Sequence, residues 1–388
     1  MGTLAHFIKS ATMRMATDGD LPFLPQEITR NILKRVPVRS LIRFQCVCKD
    51  WKNLIRTPSF IEEHLQHSNH HNPSLLFQLN AIGDPLLLYS LDRDMQVLEI
   101  QNHPLTHSML SDRIVGSSNG LLCLQRSGSE FLLLLLWNPA IREIRQVPSD
   151  VYDFKGNIRI GFGYSPIVSD YKILTAYAPH LRDINRVDVY SLSSGQWREV
   201  ESGNLEGINL YSETVTANGA MFWIASQRGA EDDIELIVSF DIAMEVFTLI
   251  PMPALDSALY YNLAVYENNL ALLSYTKTRN SQSYLIDLWV MDDGIGAPQE
   301  RWSWNKKYSI TTFSSLLNPS CIWRNDTVCF VDQVHGSEWG MRNVLSLLNL
   351  ETNKVRLITT RRFGDRFPVI FNHAESLVPI GGIHIEEP

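Results

Sequence analysis

The sequence predicts a mainly β protein with a small α-helical module at its front, and three observations carry that prediction. Residues 21–65 are the one basic, helix-patterned block, with eight Lys/Arg against four Asp/Glu, in a chain whose residues 66–388 carry 24 against 36. From Ser74 onward, short apolar strands alternate with tight polar turns. That second pattern repeats roughly every 50 to 60 residues, the mark of a serial architecture.

Residues 1–20 hold two basic and two acidic residues among scattered Ser, Thr and Ala, and read as a disordered leader. The helical block follows over 21–65. Leu24-Pro25 before Gln26-Glu27 marks a helix start, because proline gives up an N–H that would have no partner there and Glu27 suits the positive end of the helix dipole. Ile28, Ile32, Leu33 and Val36 recur at helical spacing, and Pro37 ends the run. A second helix is expected from Arg39 to about Cys48, with Leu41, Ile42, Phe44 and Val47 apolar; a third carries Trp51, Leu54 and Ile55 and stops before Pro58. Three helices of this length bury too little surface to stand alone, so the block is expected to lean on a partner.

At these residues a resemblance becomes specific. Leu24-Pro25-x-Glu27-Ile28, Ile32-Leu33-x-Arg35-Val36-Pro37-Val38-x-Ser40-Leu41-x-Arg43-Phe44, Val47-Cys48-Lys49-x-Trp51 and Pro58-Ser59-Phe60 resemble, without a gap, the F-box of flowering-plant F-box proteins. The resemblance implies binding to a Skp-type adaptor, and through it to a cullin–RING ubiquitin ligase. By position it implies that Leu24, Pro25, Ile28, Leu33, Pro37, Val38, Leu41 and Val47 face the adaptor or shape that face, while Trp51 stitches the helices together.

A polar connector is expected at 66–73, around His67-Ser-Asn-His-His-Asn-Pro73. Three histidines in five residues without Cys or carboxylate among them read as solvated linker rather than metal ligands. The repeating region then spans 74–380, with 381–388 as a tail. Its units pair a hairpin such as Gly120–Leu124, Ile160–Leu174 or Asn218–Trp223 with a second one such as Leu134–Pro148, Val187–Val200 or Val238–Pro251; Val265–Trp304 and Ile322–Leu357 give two more units. Two hairpins make four strands, and four-stranded units in series build a β-propeller. Five units are evident. A sixth would join Leu75–Val97 to a closing strand near Leu377-Val-Pro379, so six blades are expected, with five or seven as the alternatives. Gly116-Ser-Ser-Asn-Gly-Leu-Leu-Cys-Leu124, Leu136-Trp-Asn-Pro139, Phe162-Gly-Tyr164 and Ala374-Glu-Ser-Leu-Val378 resemble the F-box-associated domain of plant F-box proteins, a loose relative of kelch repeats whose paired glycines occur here only at Gly381-Gly382.

Catalytic readings are weak. Gly116-Ser117-Ser118-Asn119-Gly120 satisfies the G-x-S-x-G pattern of a hydrolase nucleophile elbow at Ser118, but Leu121–Leu124 reads as a strand where the elbow needs a helix. No carboxylate pair, phosphate loop or metal spacing stands out, and no cofactor is expected. Arg361, Arg362, Phe363 and Arg366 mix cations with an aromatic and are the candidate target-binding residues; Glu231-Asp232-Asp233 reads as a solvated acidic loop. The five cysteines, at 46, 48, 123, 321 and 329, form no framework, which suits a reduced cytoplasmic or nuclear home. The longest apolar run, Phe131–Trp137, is far short of the ~20 residues of a membrane span. An acidic receptor disfavours nucleic acid and suits a basic target protein. The layout implies a non-catalytic substrate receptor of a ubiquitin ligase; the competing reading is an adaptor-binding scaffold that delivers nothing for degradation. Pollen S-locus F-box proteins, which recognise basic secreted ribonucleases, share this layout.

Overall fold

The computed structural model describes residues 24–71, 73–79, 87–100, 113–127, 132–148, 157–178, 184–229, 233–255, 260–277, 283–292, 302–312, 319–335, 341–358, 369–381 and 383–384. Four helices come first: α1 (Gln26–Leu33), α2 (Val38–Phe44), α3 (Lys49–Ile55) and α4 (Pro58–His71). Pro25 and Pro37 stand immediately before α1 and α2, where no N–H is needed. Cys48 Sγ accepts the Trp51 amide at the head of α3, and Thr57 Oγ1 accepts the Phe60 amide at the head of α4. The fourth helix corrects the expected linker at 66–73. Phe60, His64 and Ser68, spaced by four, and Leu65 beside them are buried, and burying that stripe outweighs the poor helix propensity of the Ser, Asn and His residues that follow. A bidentate Arg30–Glu63 pair at 2.9 and 2.8 Å ties α1 to α4 on the surface.

The strands form six antiparallel sheets arranged as the blades of a propeller. Blade 1 takes β1 (Ser74–Leu79), β2 (Leu87–Leu91) and β3 (Val97–Glu99); blade 2 takes β4 (Arg113–Ser118), β5 (Leu121–Ser127), β6 (Leu132–Asn138) and β7 (Glu143–Val147). Blade 3 is β8 (Asn157–Ser165), β9 (Asp170–Ala178), β10 (Arg186–Ser191) and β11 (Gln196–Val200). In blade 4, β12 (Ile208–Leu210) and β13 (Val215–Ala217) both pair with β14 (Ala220–Gln227), followed by β15 (Ile234–Asp241) and β16 (Phe247–Pro251). Blade 5 runs β17 (Tyr260–Tyr266), β18 (Asn269–Lys277), β19 (Tyr284–Met291) and β20 (Trp304–Thr312); blade 6 runs β21 (Pro319–Trp323), β22 (Thr327–His335), β23 (Met341–Asn349) and β24 (Val355–Ile358). The ring closes when β25 (Val369–His373) pairs antiparallel with β1, Leu75 opposite Asn372 and Phe77 opposite Ile370, as the innermost strand of blade 1. The closing strand therefore precedes the expected Leu377-Val-Pro379, which has another role described below. Beyond it β26 (Ile383–His384), in the stretch read as a tail, extends the outer edge of blade 2 by pairing with β7.

The blades are apolar on both faces, and alternation sends neighbouring residues to different interfaces. Met221, Trp223 and Ala225 of β14 pack toward blade 3, while Ala220, Phe222 and Ile224 pack toward blade 5. Leu75 and Phe77 pack toward blade 6, and Leu76 toward blade 2. Polar staples supplement this packing: the indoles of Trp304 and Trp197 donate to the carbonyls of Pro251 and Pro148 at the end of the preceding blade, and buried Lys172 of blade 3 meets Glu245 of blade 4 at 2.5 Å.

Because strands alternate in direction, their connections alternate between two faces of the ring. Turns from a blade's first strand to its second, and from third to fourth, lie on one face, and all other connections lie on the opposite one. The first face carries tight turns: Asn119-Gly120 at φ 48° and 80° and Asn218-Gly219 at φ 46° and 77° are two-residue hairpins that need this left-handed backbone. Helix α4 enters β1 from that face and β25 leaves onto it, so the helical module sits over the tight turns.

Gly120 also has no room for a side chain, since an added Cβ would lie 2.2 Å from Ser376 Cβ. Gly120→Ala is expected to cost over ~2 kcal/mol in urea unfolding, whereas Gly203→Ala, with nothing within 4 Å, should stay within about 0.5 kcal/mol. A second expectation concerns His373, whose burial pushes its imidazole down to about 4 and leaves Nδ1 without a hydrogen-bond partner. In the unfolded chain the same group titrates near its ordinary value of ~6.5, so between these values the unfolded state holds the extra proton. Stability should therefore fall as pH is lowered through that window, by on the order of 3 kcal/mol across all of it. Urea midpoints at pH 7, 6 and 5 should show the slope, and His373→Gln should flatten it.

Candidate functional site

The helical module has a core of Leu33, Val38, Leu41, Leu54, Ile55 and Phe60, with Phe44 and Trp51 tilted against each other at 5.6 Å on its edge. Helix α1 can turn only one of its adjacent Ile32 and Leu33 inward. Leu33 is buried, which leaves Ile32 outside with Ile28, four residues before it on the same face. Leu24, Ile28, Ile32 and Ile42 are 49, 45, 38 and 39% exposed, an unusual concentration of large apolar side chains in water for so small a unit. Arg35, Arg39, Arg43, Lys49 and Lys52 are exposed on the same module and make its accessible surface cationic.

The eight residues expected at an adaptor face thus divide. Leu24, Pro25, Ile28 and Pro37 are exposed and Val47 is half-buried. Leu33, Val38 and Leu41 are buried in the module's own core and can only shape the face from beneath. Ile32 and Ile42 were not among the eight; the signal for them was the apolar residue left over once each helix had satisfied its inward face.

What the module leans on within its own chain is a strap, residues 374–380, that returns from β25. Leu377 is buried among the helices as part of their core. Glu375 Oε2 accepts the backbone amide of Val38 at 3.2 Å, filling a place at the head of α2 that Pro37 cannot fill with a side chain. Asn138 in blade 2 donates through Nδ2 to the carbonyls of Ser376 and Val378 at 3.0 and 2.8 Å, while its Oδ1 takes the Ala140 amide at 3.0 Å. Glu143 Oε2 accepts the Ile380 amide at 2.8 Å, and Arg145 donates to the Ile380 carbonyl at 3.2 Å. Ala140 and Ile141, in the turn after β6, pack against the helices beside Leu377. His64 of α4, bonded to the Val36 carbonyl at 2.9 Å, is held below its ordinary value by burial. Three of the four phrases that carried the second resemblance, around Gly120, Asn138 and Ser376, therefore meet here.

Other expected residues lie elsewhere. Arg361, Arg362, Phe363 and Arg366 fall outside the described residues; the strand ends that flank them, Ile358 and Val369, are on the face turned away from the helices. Glu231 and Asp232 are also outside them. Ser118 ends β4, and the Asn119-Gly120 turn leads straight into β5, so the helix that a nucleophile elbow requires is replaced by a strand. Among the described residues no three His, Cys, Asp or Glu side chains are grouped to hold a metal, and no helix is long and apolar enough to cross a membrane.

Comparison with known proteins fits this division of the chain. Residues 21–63 match the F-box domain family and residues 74–379 match the F-box associated beta propeller domain family. An F-box protein of Arabidopsis thaliana named CPR1 is 26% identical over 316 residues, covering 74% of this chain and 73% of that one. An F-box/kelch-repeat protein of the same plant is 24% identical over 330 residues, 78% and 83% of the two chains. A further F-box protein of Arabidopsis thaliana matches at 27% over 246 residues, so the shared stretch spans 60% of either chain.

If the strap holds the module, Leu377→Ala should open a cavity under the helices at a cost of about 2–5 kcal/mol. Hydrogen exchange is expected to quicken in α1–α4 of that variant while β14, β18 and β22 keep their protection. Equal loosening of both parts would instead place Leu377 in a single shared core.

Proposed function

Because the chain belongs to the F-box proteins that carry an F-box-associated β-propeller, we propose that it serves as the substrate receptor of a cullin–RING ubiquitin ligase. A substrate-receptor role of this general kind follows from the family, whose members are typically non-catalytic ligase subunits that bind a Skp-type adaptor through the F-box. The finer reading assigns the adaptor to the surface around Leu24, Pro25, Ile28 and Pro37, with Ile32 and Ile42 beside them. The single observation that carries it is the exposure of those apolar side chains on a module whose interior is already filled, by its own residues and by Leu377. A surface of this kind, ringed by cations, suits an acidic partner with an apolar centre.

The target protein belongs on the opposite face of the ring in this reading. The helical module covers part of the tight-turn face, and the strand ends that flank the segments 100–112, between β3 and β4, and 359–368, between β24 and β25, lie on the other one. Loops of that length on a rigid scaffold are where binding residues are usually carried. Arg361, Arg362, Phe363 and Arg366 remain the candidate contacts there, and the acid excess of residues 66–388 favours a basic target. Function then consists of proximity: holding a target's lysines near the ubiquitin-charged enzyme raises their effective concentration without any bond-making by this chain.

Co-expression with a Skp-type adaptor tests the first contact. Wild-type protein should co-purify with it, and Leu24→Ala with Pro25→Ala should lose at least ~30-fold in affinity, the scale of a hot-spot truncation, with an unchanged melting temperature because both residues are exposed. Retained binding in that double variant would overturn the assignment. For the second contact, a bound partner should live longer in cells lacking this protein; an unchanged half-life would favour a scaffold that delivers nothing.

A further inference from the structure

A cleft of about 360 Å³ lies on the tight-turn face where four parts of the chain converge: the end of α4, the β2–β3 turn of blade 1, the β4–β5 turn of blade 2 and the β21–β22 turn of blade 6. It therefore spans the seam at which the ring closes. His70 and His71 reach it from α4, Arg93 from blade 1 and Arg324 from blade 6, with Asp326 the one carboxylate on its wall and His373 at the end of β25.

This lining runs against the charge of the ring. Residues 66–388 hold 36 acids against 24 bases, and Arg113, Lys172, Arg186, Arg198 and Lys306 each meet a carboxylate. Arg93 and Arg324 meet none among the described residues. Arg93 donates to the His71 carbonyl at 3.2 Å, and Arg324 rests over the Trp323 ring at 5.2 Å. The Asp326 carboxylate is engaged locally, its Oδ1 accepting the Thr327 hydroxyl at 2.7 Å.

We propose that this cleft binds a small phosphate-bearing molecule, gripped by the Arg93 and Arg324 guanidinium groups with the His70 ring beside them; His71 Nδ1 is taken by the His67 carbonyl at 3.1 Å. Planar guanidinium forks match phosphate oxygens two at a time, and the His70 imidazole adds a further donor. The ligand is a small molecule because the cleft's volume lies at the low end of small-molecule sites and α4 walls one side of it. Its position gives the binding a structural consequence. A ligand touching α4, blade 1 and blade 6 at once binds only the closed ring with its helical module docked, so it stabilises that state by mass action. This site is separate from the adaptor surface of α1 and α2 and does not depend on what that surface holds.

The test uses the full chain with inorganic pyrophosphate as the probe and potassium chloride at matched ionic strength as the control. Melting temperature should rise saturably with pyrophosphate and not with chloride, and the 31P resonance of the probe should broaden on addition of protein. Arg93→Gln and Arg324→Gln, both at exposed positions, should each raise the dissociation constant at least tenfold and together abolish the shift, while the melting temperature without probe stays at the wild-type value. A rise of equal size with chloride, or a response to pyrophosphate that survives in the double variant, would overturn the proposal. Should a variant melt early, the titration of the wild type by 31P line broadening with chloride competition decides the matter alone: broadening reversed by chloride at matched ionic strength counts against a site.

Discussion

The insertion of Leu377 into the helical module, with Glu375 at the head of α2, is the contact on which the rest of this architecture depends. A bundle of four short helices encloses little volume, and its buried residues need apolar neighbours from outside it. The strap supplies one from the far end of the chain. Because the strap continues directly from β25, the strand that closes the ring, docking of the helices and closure of the propeller use the same stretch of sequence. Orientation of the module is thus a property of the completed ring rather than of a flexible tether.

Polar groups make that junction specific. Asn138 is placed at the end of β6, the position at which Asp92, Ser191, Asp241 and Asn349 in other blades accept amides to shape the third-to-fourth turn. In blade 2 the side chain does this with its Oδ1 and has an amide left over, and both strap carbonyls are bonded to it. A repeat device has become a clamp by the choice of Asn, since an Asp there would have no N–H to give. The left-handed Gly120 beside it leaves the space that Ser376 occupies.

The propeller itself divides the work between two faces. Tight turns that need left-handed residues form a firm platform under the helices, and the strands flanking 100–112 and 359–368 end on the opposite side. A receptor that must hold one protein and present another benefits from such a separation, because variation in those segments leaves the platform and its strap untouched. The cationic cleft belongs to the platform side and sits on the closure seam, where β25 pairs with β1 and the Ser74 hydroxyl donates to the His373 carbonyl at 2.9 Å.

Much of this was written in the sequence. Period-two apolar runs, Asn-Gly turns and a repeat of 50 to 60 residues determine antiparallel four-stranded units, and Pro25 determines where the first helix begins and Pro37 and Pro58 where the first and third end, because these are local steric and hydrogen-bonding rules. Local rules end where a partner is remote. Nothing near His67–His71 announces a helix, since the burial of Phe60, His64 and Ser68 that sustains it needs surfaces from elsewhere in the fold. Nothing near Leu377 distinguishes a closing strand from a strap, because both read as a short apolar stretch and only the register of β25 with β1 settles which residues pair. For the same reason Leu33, Val38 and Leu41 could not be told from Leu24 and Ile28 by their chemistry. Which apolar side chains face water is decided when the strap fills the module's core, and that is a contact across more than 300 residues of chain.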